Sequence, residues 1–306
     1  MDHDRPIGGL LRDWRERRGL SQLALSVRSG ISTRHISFVE TGRTTPTPGM
    51  LDRFAEHLEI PLRERNRLLV AAGHAPGYPE RPLDDPDLAE ARAAVHRVLR
   101  AHEPYPALAV DRRWNLLFAN SAFEIFLDGV QPELLRPPIN MMRLGLHPGG
   151  FAPRLRNLAQ LRGFLLPRLA RQAAQTGDGE LIALYEELSS FATEPAGARI
   201  DPAEIAMTIE LRHRDAELRF FNTIMTFGAA FDVTLDEIAI EAYFPADTAT
   251  ADYLHAWAQT QSASARARPS SKKASRLDAV GSSSRGRSAP NDAFQNSPVR
   301  GVHGPT

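Results

Sequence analysis

The polar residues with the most informative spacing are Gln22, Ser32, Thr33, Arg34, Ser37, Arg43 and Thr45. Each can donate a hydrogen bond, and none stands in a pattern that activates a nucleophile or holds a metal, so their chemistry is non-covalent recognition. Arg34 suits the O6 and N7 edge of guanine, Thr33 and Ser37 suit other base edges, and Gln22, Ser32, Arg43 and Thr45 suit phosphate oxygens. That assignment requires a helix whose N-terminus enters a DNA major groove. The frame around these residues meets the requirement. A helix-turn-helix needs a small residue where its helices cross, and Ser26 is there. It needs a left-handed turn residue four positions on, an apolar turn exit, and buried branched residues beyond; these are Gly30, Ile31, Ile36 and Val39. A helical bundle that binds protein, or nothing, is the alternative.

Apolar spacing and punctuation predict the elements that position this motif. Leu10, Leu11 and Trp14 share a helical face that stops at Gly19, and Ser21 caps a helix carrying Leu23, Leu25 and Val27. Ser32 caps the next helix, Thr47-Pro48 opens a fourth through Leu58, and Pro61 opens a fifth that runs to Gly73. Five helices over residues 1–75 make an all-α domain. The stretch APGYPERPLDDP reads as a linker, followed by a connecting helix with Leu88, Ala91, Val95 and Leu99 on one side, together residues 76–104. The period then changes. Strands are predicted at Leu108–Val110 and Leu116–Ala119, helices after Asn120 and at about 153–175 and 179–190, strands near 207–212, 218–227 and 238–244, and a last helix over 247–258. Two strands, helices, then three strands predict a five-stranded antiparallel sheet covered on one face, over residues 105–258, in the order of a PAS-like sensor domain. The fold class is α+β. Residues 259–306, rich in Ser and Arg, read as a disordered basic tail.

The first domain resembles the XRE (lambda-repressor-like) helix-turn-helix family. The matching residues are Ser21-Gln22, Leu25-Ser26, Ser29-Gly30-Ile31-Ser32 and Glu40-Thr41-Gly42-Arg43, with Ser26 standing where the family usually has Ala. Residues 74 to about 258 resemble the MmyB-like ligand-binding domain, through Leu68-Leu69 with Ala72-Gly73, Glu103 to Asp111, Trp114-Asn115, Asn120, His147-Pro148 and Asn157. The segment near 195–205 departs from that pattern. The resemblance implies a transcriptional regulator whose second domain holds a small, lipid-like molecule. An antitoxin or adaptor whose second domain binds a protein is the other reading.

The residues allow such a pocket. Phe118, Phe123, Phe126, Met141, Met142, Phe220, Met225 and Phe227 form a soft apolar inventory that could line a cavity or simply fill a core. Arg143, Arg154 and Arg156 are the nearby anchors for a charged head.

Charge is uneven along the 306 residues, although the net is +0. Residues 1–75 hold 12 Arg against 9 acidic residues, 76–260 hold 17 against 26, and 261–306 hold 8 basic residues against 2 acidic. Basic ends around an acidic middle suggest polyanion contact at the ends. A helix-turn-helix reads few base pairs, so a homodimer on a repeated site is expected. No enzyme is expected: Lys first occurs at Lys272, which removes a Ser–Lys dyad, and no G-x-S-x-G, P-loop or dinucleotide fingerprint occurs. The ten His are scattered and Cys is 0, so neither metal nor cofactor is expected. Without an apolar run of membrane length or a leader-like N-terminus, the expected location is the cytoplasm.

Overall fold

The computed structural model describes residues 6–191 and 207–267. Five helices come first: α1 (Ile7–Arg17), α2 (Gln22–Ser29), α3 (Thr33–Glu40), α4 (Pro48–His57) and α5 (Leu62–Ala71). The side chains of Ser21 and Ser32 accept hydrogen bonds from the backbone N–H groups of Ala24 and His35, and Gly30 ends α2 at φ 68°. The apolar faces meet around Leu11, Leu25, Ile36, Val39, Leu51 and Phe54. Of the three apolar residues expected on α2, only Leu25 is buried; Leu23 and Val27, one turn apart, stay exposed on the opposite side.

The second domain contains α6 (Ala89–Ala101), β1 (Ala107–Val110), β2 (Leu116–Ala119), α7 (Glu124–Leu127), α8 (Met141–Leu146), α9 (Leu158–Thr176), α10 (Gly179–Ser190), β3 (Ile209–His213), β4 (Ala216–Thr226), α11 (Val233–Asp236), β5 (Ala239–Pro245) and α12 (Thr248–Ala267). The five strands are antiparallel in the order β2-β1-β5-β4-β3. The last of the described strands is thus central, and a central strand must bury both of its faces.

That corrects the expectation of a sheet covered on one face. On one side Leu108, Leu211, Phe220 and Tyr243 pack with Phe126, Leu144, Leu169 and Leu184 from the helices. On the other, Val95 and Leu99 of α6 pack on Ala107, Ala109, Ile238 and Ile240. The helix read as a connector is therefore a layer of the second domain. The linker ahead of it is also tied down. Asn66 accepts the N–H groups of Gly77 and Tyr78 and donates to the Tyr78 carbonyl, while Arg81 pairs with Asp232.

Two boundaries also differ from expectation. The helix expected from 153 begins at Leu158, because a 3₁₀ turn occupies Ala152–Arg154. The last helix continues to Ala267, nine residues beyond its expected end at 258 and into the segment read as tail. Its run of Ala, Gln and Ser has no Pro or Gly to stop it. The segment near 195–205 and the tail from 268 onward lie outside the described residues.

The two domains touch directly. Arg63 of α5 bonds both carboxylate oxygens of Glu237, at 2.6 and 3.0 Å, and the Leu62 N–H donates to Asp236. Arg17 of α1 donates to the Gln175 carbonyl on α9.

Candidate functional site

Helix α3 begins at its Ser32 cap with Thr33, Arg34 and Ser37 on the face away from the buried Ile36 and Val39. Ser32, Arg34, Arg43 and Thr45 are exposed, and Thr33 and Ser37 are half-buried. These six residues share α3, its cap and the loop behind it. The first-turn N–H groups of a helix carry partial positive charge, so this end suits a polyanion. Phe38, which sequence reasoning passed over, organises the two cations. The Arg34 and Arg43 guanidiniums lie over its ring at 5.2 and 5.6 Å, which holds both long side chains on the same surface.

Gln22 is placed differently. Its amide donates to Glu40 Oε2 at 2.9 Å, which ties the start of α2 to the end of α3. Glu40 is itself buried and accepts two hydrogen bonds from Arg15 of α1, at 2.6 and 3.0 Å. Burial pushes the Glu40 pKa up, but the hydrogen bonds from Arg15 and Gln22 and the Arg15 charge hold it below the usual carboxylate range. This network sets the angle of α3 and was also passed over; the acidic residue before Thr41-Gly42 was its only local sign. Gly8 completes the joint. A Cβ there would lie 2.5 Å from the Val39 carbonyl oxygen and 2.6 Å from that of Glu40, so only glycine lets α1 cross the end of α3 so closely. Arg18 donates to the Leu58 and Glu59 carbonyls at the end of α4.

In the second domain the apolar inventory divides. Phe123, Phe126, Met141, Met142 and Phe220 are buried together in the core between sheet and helices, where Phe126 lies within 5.7 Å of Phe123, Phe151, Phe220 and Tyr243 by ring centroid. Phe118 and Phe227 lie on the other face, under α6, with Phe118 against the His96 ring. Met225 is 41% exposed. Of the three candidate anchors, Arg143 pairs with Glu187, Arg156 pairs with Glu217, and Arg154 donates to the Phe126 carbonyl.

A cleft of about 320 Å³ opens at the same sheet face, between α9 and the β1–β2 turn. Trp114, Val110, Ile224 and Ala239 form its apolar walls, and Arg112, Arg168 and Arg171 stand around it. Behind it in the sheet, buried Glu241 accepts a hydrogen bond from the Tyr243 hydroxyl at 2.7 Å. Burial pushes the Glu241 carboxyl above its ordinary pKa, against that hydrogen bond and the Arg168 charge. His213, the last residue of β3, is buried and hydrogen-bonded to Tyr253 of α12. No cluster of metal-ligating side chains occurs among the described residues, and no helix among them is long and apolar enough to cross a membrane.

Comparison with known proteins agrees with this division. The sequence profile of the MmyB-like transcription regulator ligand binding domain matches residues 91–256, and that of a helix-turn-helix domain matches residues 6–68. An uncharacterized HTH-type transcriptional regulator of Bacillus subtilis (strain 168), RghRB, is 41% identical over 76 residues, which are 24% of this chain and 52% of that protein. The chain thus spans about half the length of that relative.

Proposed function

Because this chain belongs to the MmyB-like transcription regulators, with a helix-turn-helix domain ahead of that family's ligand binding domain, we propose that it binds duplex DNA sequence-specifically as a homodimer in the cytoplasm and that a small, apolar, fatty-acid-like molecule in the second domain modulates the binding. The observation that carries the DNA reading is the surface of α3, where Arg34 and Arg43 are held over Phe38 beside the exposed Ser32 cap. Arg34 reads a guanine edge, and Arg43 and Thr45 meet phosphates. Two copies on an inverted repeat, with half-site centres about 10–10.5 bp or a multiple apart, supply the specificity that one small domain lacks.

For the ligand to regulate, it must prefer one arrangement of the DNA-binding domains over another. A differential of about 1–3 kcal/mol changes operator affinity roughly 5- to 150-fold, and the coupling is reciprocal.

The test is selection of binding sequences from random duplex DNA with the full chain and its variants. Arg34→Ala costs about 1–3 kcal/mol and relaxes preference at one base position, whereas Arg43→Ala weakens all sequences alike and lowers the salt slope by about 1. An unchanged selected sequence in Arg34→Ala refutes this docking of α3. Light scattering that finds a monomer both free and on DNA refutes the dimer.

A further inference from the structure

The cleft between α9 and the sheet has a wall that its own backbone resists. Trp114 sits at φ 66°, in the left-handed region that disfavours a bulky side chain. The turn holds it there. Asp111 Oδ1 accepts the N–H groups of Arg113 and Asn115, and the Trp114 N–H donates to the Asp111 carbonyl. Across the cleft, α9 fixes the indole: its N–H donates to Gln172 at 2.9 Å, and the Arg168 guanidinium lies 4.8 Å from the ring centre. Strain of this kind persists where surrounding contacts over-determine it, and such places are frequently ligand clamps.

The charges point the same way. The arginines nearest in the turn and on α8 have carboxylate partners: Arg112 and Arg113 share Asp178, and Arg143 has Glu187. Arg168 and Arg171, one turn apart and both lining the cleft, form no ion pair among the described residues. Beside them lies Glu237, which lines the same cleft and is held by Arg63 of the DNA-binding domain. The Arg112 guanidinium, already bonded to Asp178, approaches Glu237 to 3.6 Å from the cleft side.

We propose that this cleft takes a small organic acid, its anionic group on Arg168 and Arg171 and its apolar body against Trp114, Val110 and Ile224, and that Glu237 passes occupancy to the DNA-binding helices. The proposal rests on the reading of the second domain as a binder of a fatty-acid-like molecule and adds the place, the anchoring arginines and the relay. A volume of about 320 Å³ is at the small end for ligand sites, which limits the occupant to a compact molecule. Its negative charge competes with Glu237 for Arg112 and repels the Glu237 carboxylate, so it loosens the bond to α5. Glu241 offers less opposition than an exposed glutamate, since burial favours its neutral form.

Octanoate is the probe, with octanamide as the same chain without the charge. By calorimetry on the full chain, octanoate binds at least about tenfold more tightly than the amide. The double variant Arg168→Ala/Arg171→Ala erases that preference, and Ile224→Trp, at a position 40% exposed and therefore tolerant of bulk, blocks both compounds. Operator affinity shifts at least about fivefold with octanoate in the unaltered chain. It stays fixed in Glu237→Gln, which still binds octanoate. Absence of octanoate binding, equal binding of acid and amide, or binding unaffected by Ile224→Trp overturns the site. If octanoate moves operator affinity equally in the Ile224→Trp variant, ligand regulation stands and the cleft falls. If octanoate fills the cleft and operator affinity never moves, the site stands, and the relay and the regulatory reading fall.

Discussion

Glu40 in the helical domain and Glu241 in the sheet domain are equally buried, each 6% exposed, yet their surroundings move their carboxyls in opposite directions. Around Glu40, two hydrogen bonds from Arg15 and one from Gln22 more than offset the loss of water. Around Glu241, a single hydrogen bond from Tyr243 and the more distant Arg168 charge do not. Desolvation of a carboxylate is large, and only close, multiple partners match it. The helical domain therefore uses its buried carboxylate as a joint between α1, α2 and α3. The sheet domain keeps an under-compensated one beside a cleft, the kind of arrangement that clusters at ligand sites.

Glu40→Ala breaks this comparison hardest. It takes from buried Arg15 its two closest carboxylate bonds and leaves only the Leu20 carbonyl and a 3.3 Å contact with Glu16, so the helical domain loses about 3–5 kcal/mol and specific DNA binding fails, whereas Glu241→Gln changes stability by less than about 1.5 kcal/mol. Thermal unfolding of both variants is the measurement, and equal losses would show that the two carboxylates do the same job. Gly8→Ala comes next, at about 1–3 kcal/mol, because its methyl group must push α1 off the Val39 and Glu40 carbonyls. That loss belongs to the helical domain alone; a change in the sheet domain's unfolding would mean that the two domains unfold as one.

The pH dependence sharpens the contrast in sign. The depressed pKa of Glu40 adds stability above its ordinary value of 4.5, and that stability is lost as pH falls through the depressed value. The raised pKa of Glu241 acts in reverse, since stability falls as pH climbs from 4.5 through the raised value. Mild acid therefore favours the sheet domain before stronger acid undoes the helical one. Unfolding followed in single-tryptophan variants that retain Trp14 or Trp257 separates the two, and curves of the same slope would refute the assignment. The smallest effect is that of Met225→Ser. At a half-exposed position it changes stability by no more than about 0.5 kcal/mol, read from the thermal unfolding curve, and a larger loss would place Met225 in a packed interface.

The helix-turn-helix was legible because its determinants are local. Serine caps, a left-handed Gly30, and Ile31, Ile36 and Val39 in register all act within a few residues of one another. The ligand domain was legible as an order of elements, and its five strands follow from alternation. Alternation tells which residues share a face but not what covers that face. Phe118 and Phe227 therefore fell beneath α6 and Met225 into solvent, although by composition they matched the buried Phe126 and Met142.

The amino-acid sequence alone determined the order of the helical and sheet regions, the turn chemistry and the exposed polar face of α3, since hydrogen bonds and sterics between near neighbours decide those. Only the tertiary structure decided the Arg15–Glu40 joint, the close crossing at Gly8, the clamp of Arg63 on Glu237 and a cleft assembled from residues between Val110 and Ala239. These join residues from 25 to 174 positions apart. Such contacts form only after chain closure has brought the elements together, and no local preference marks the partner in advance.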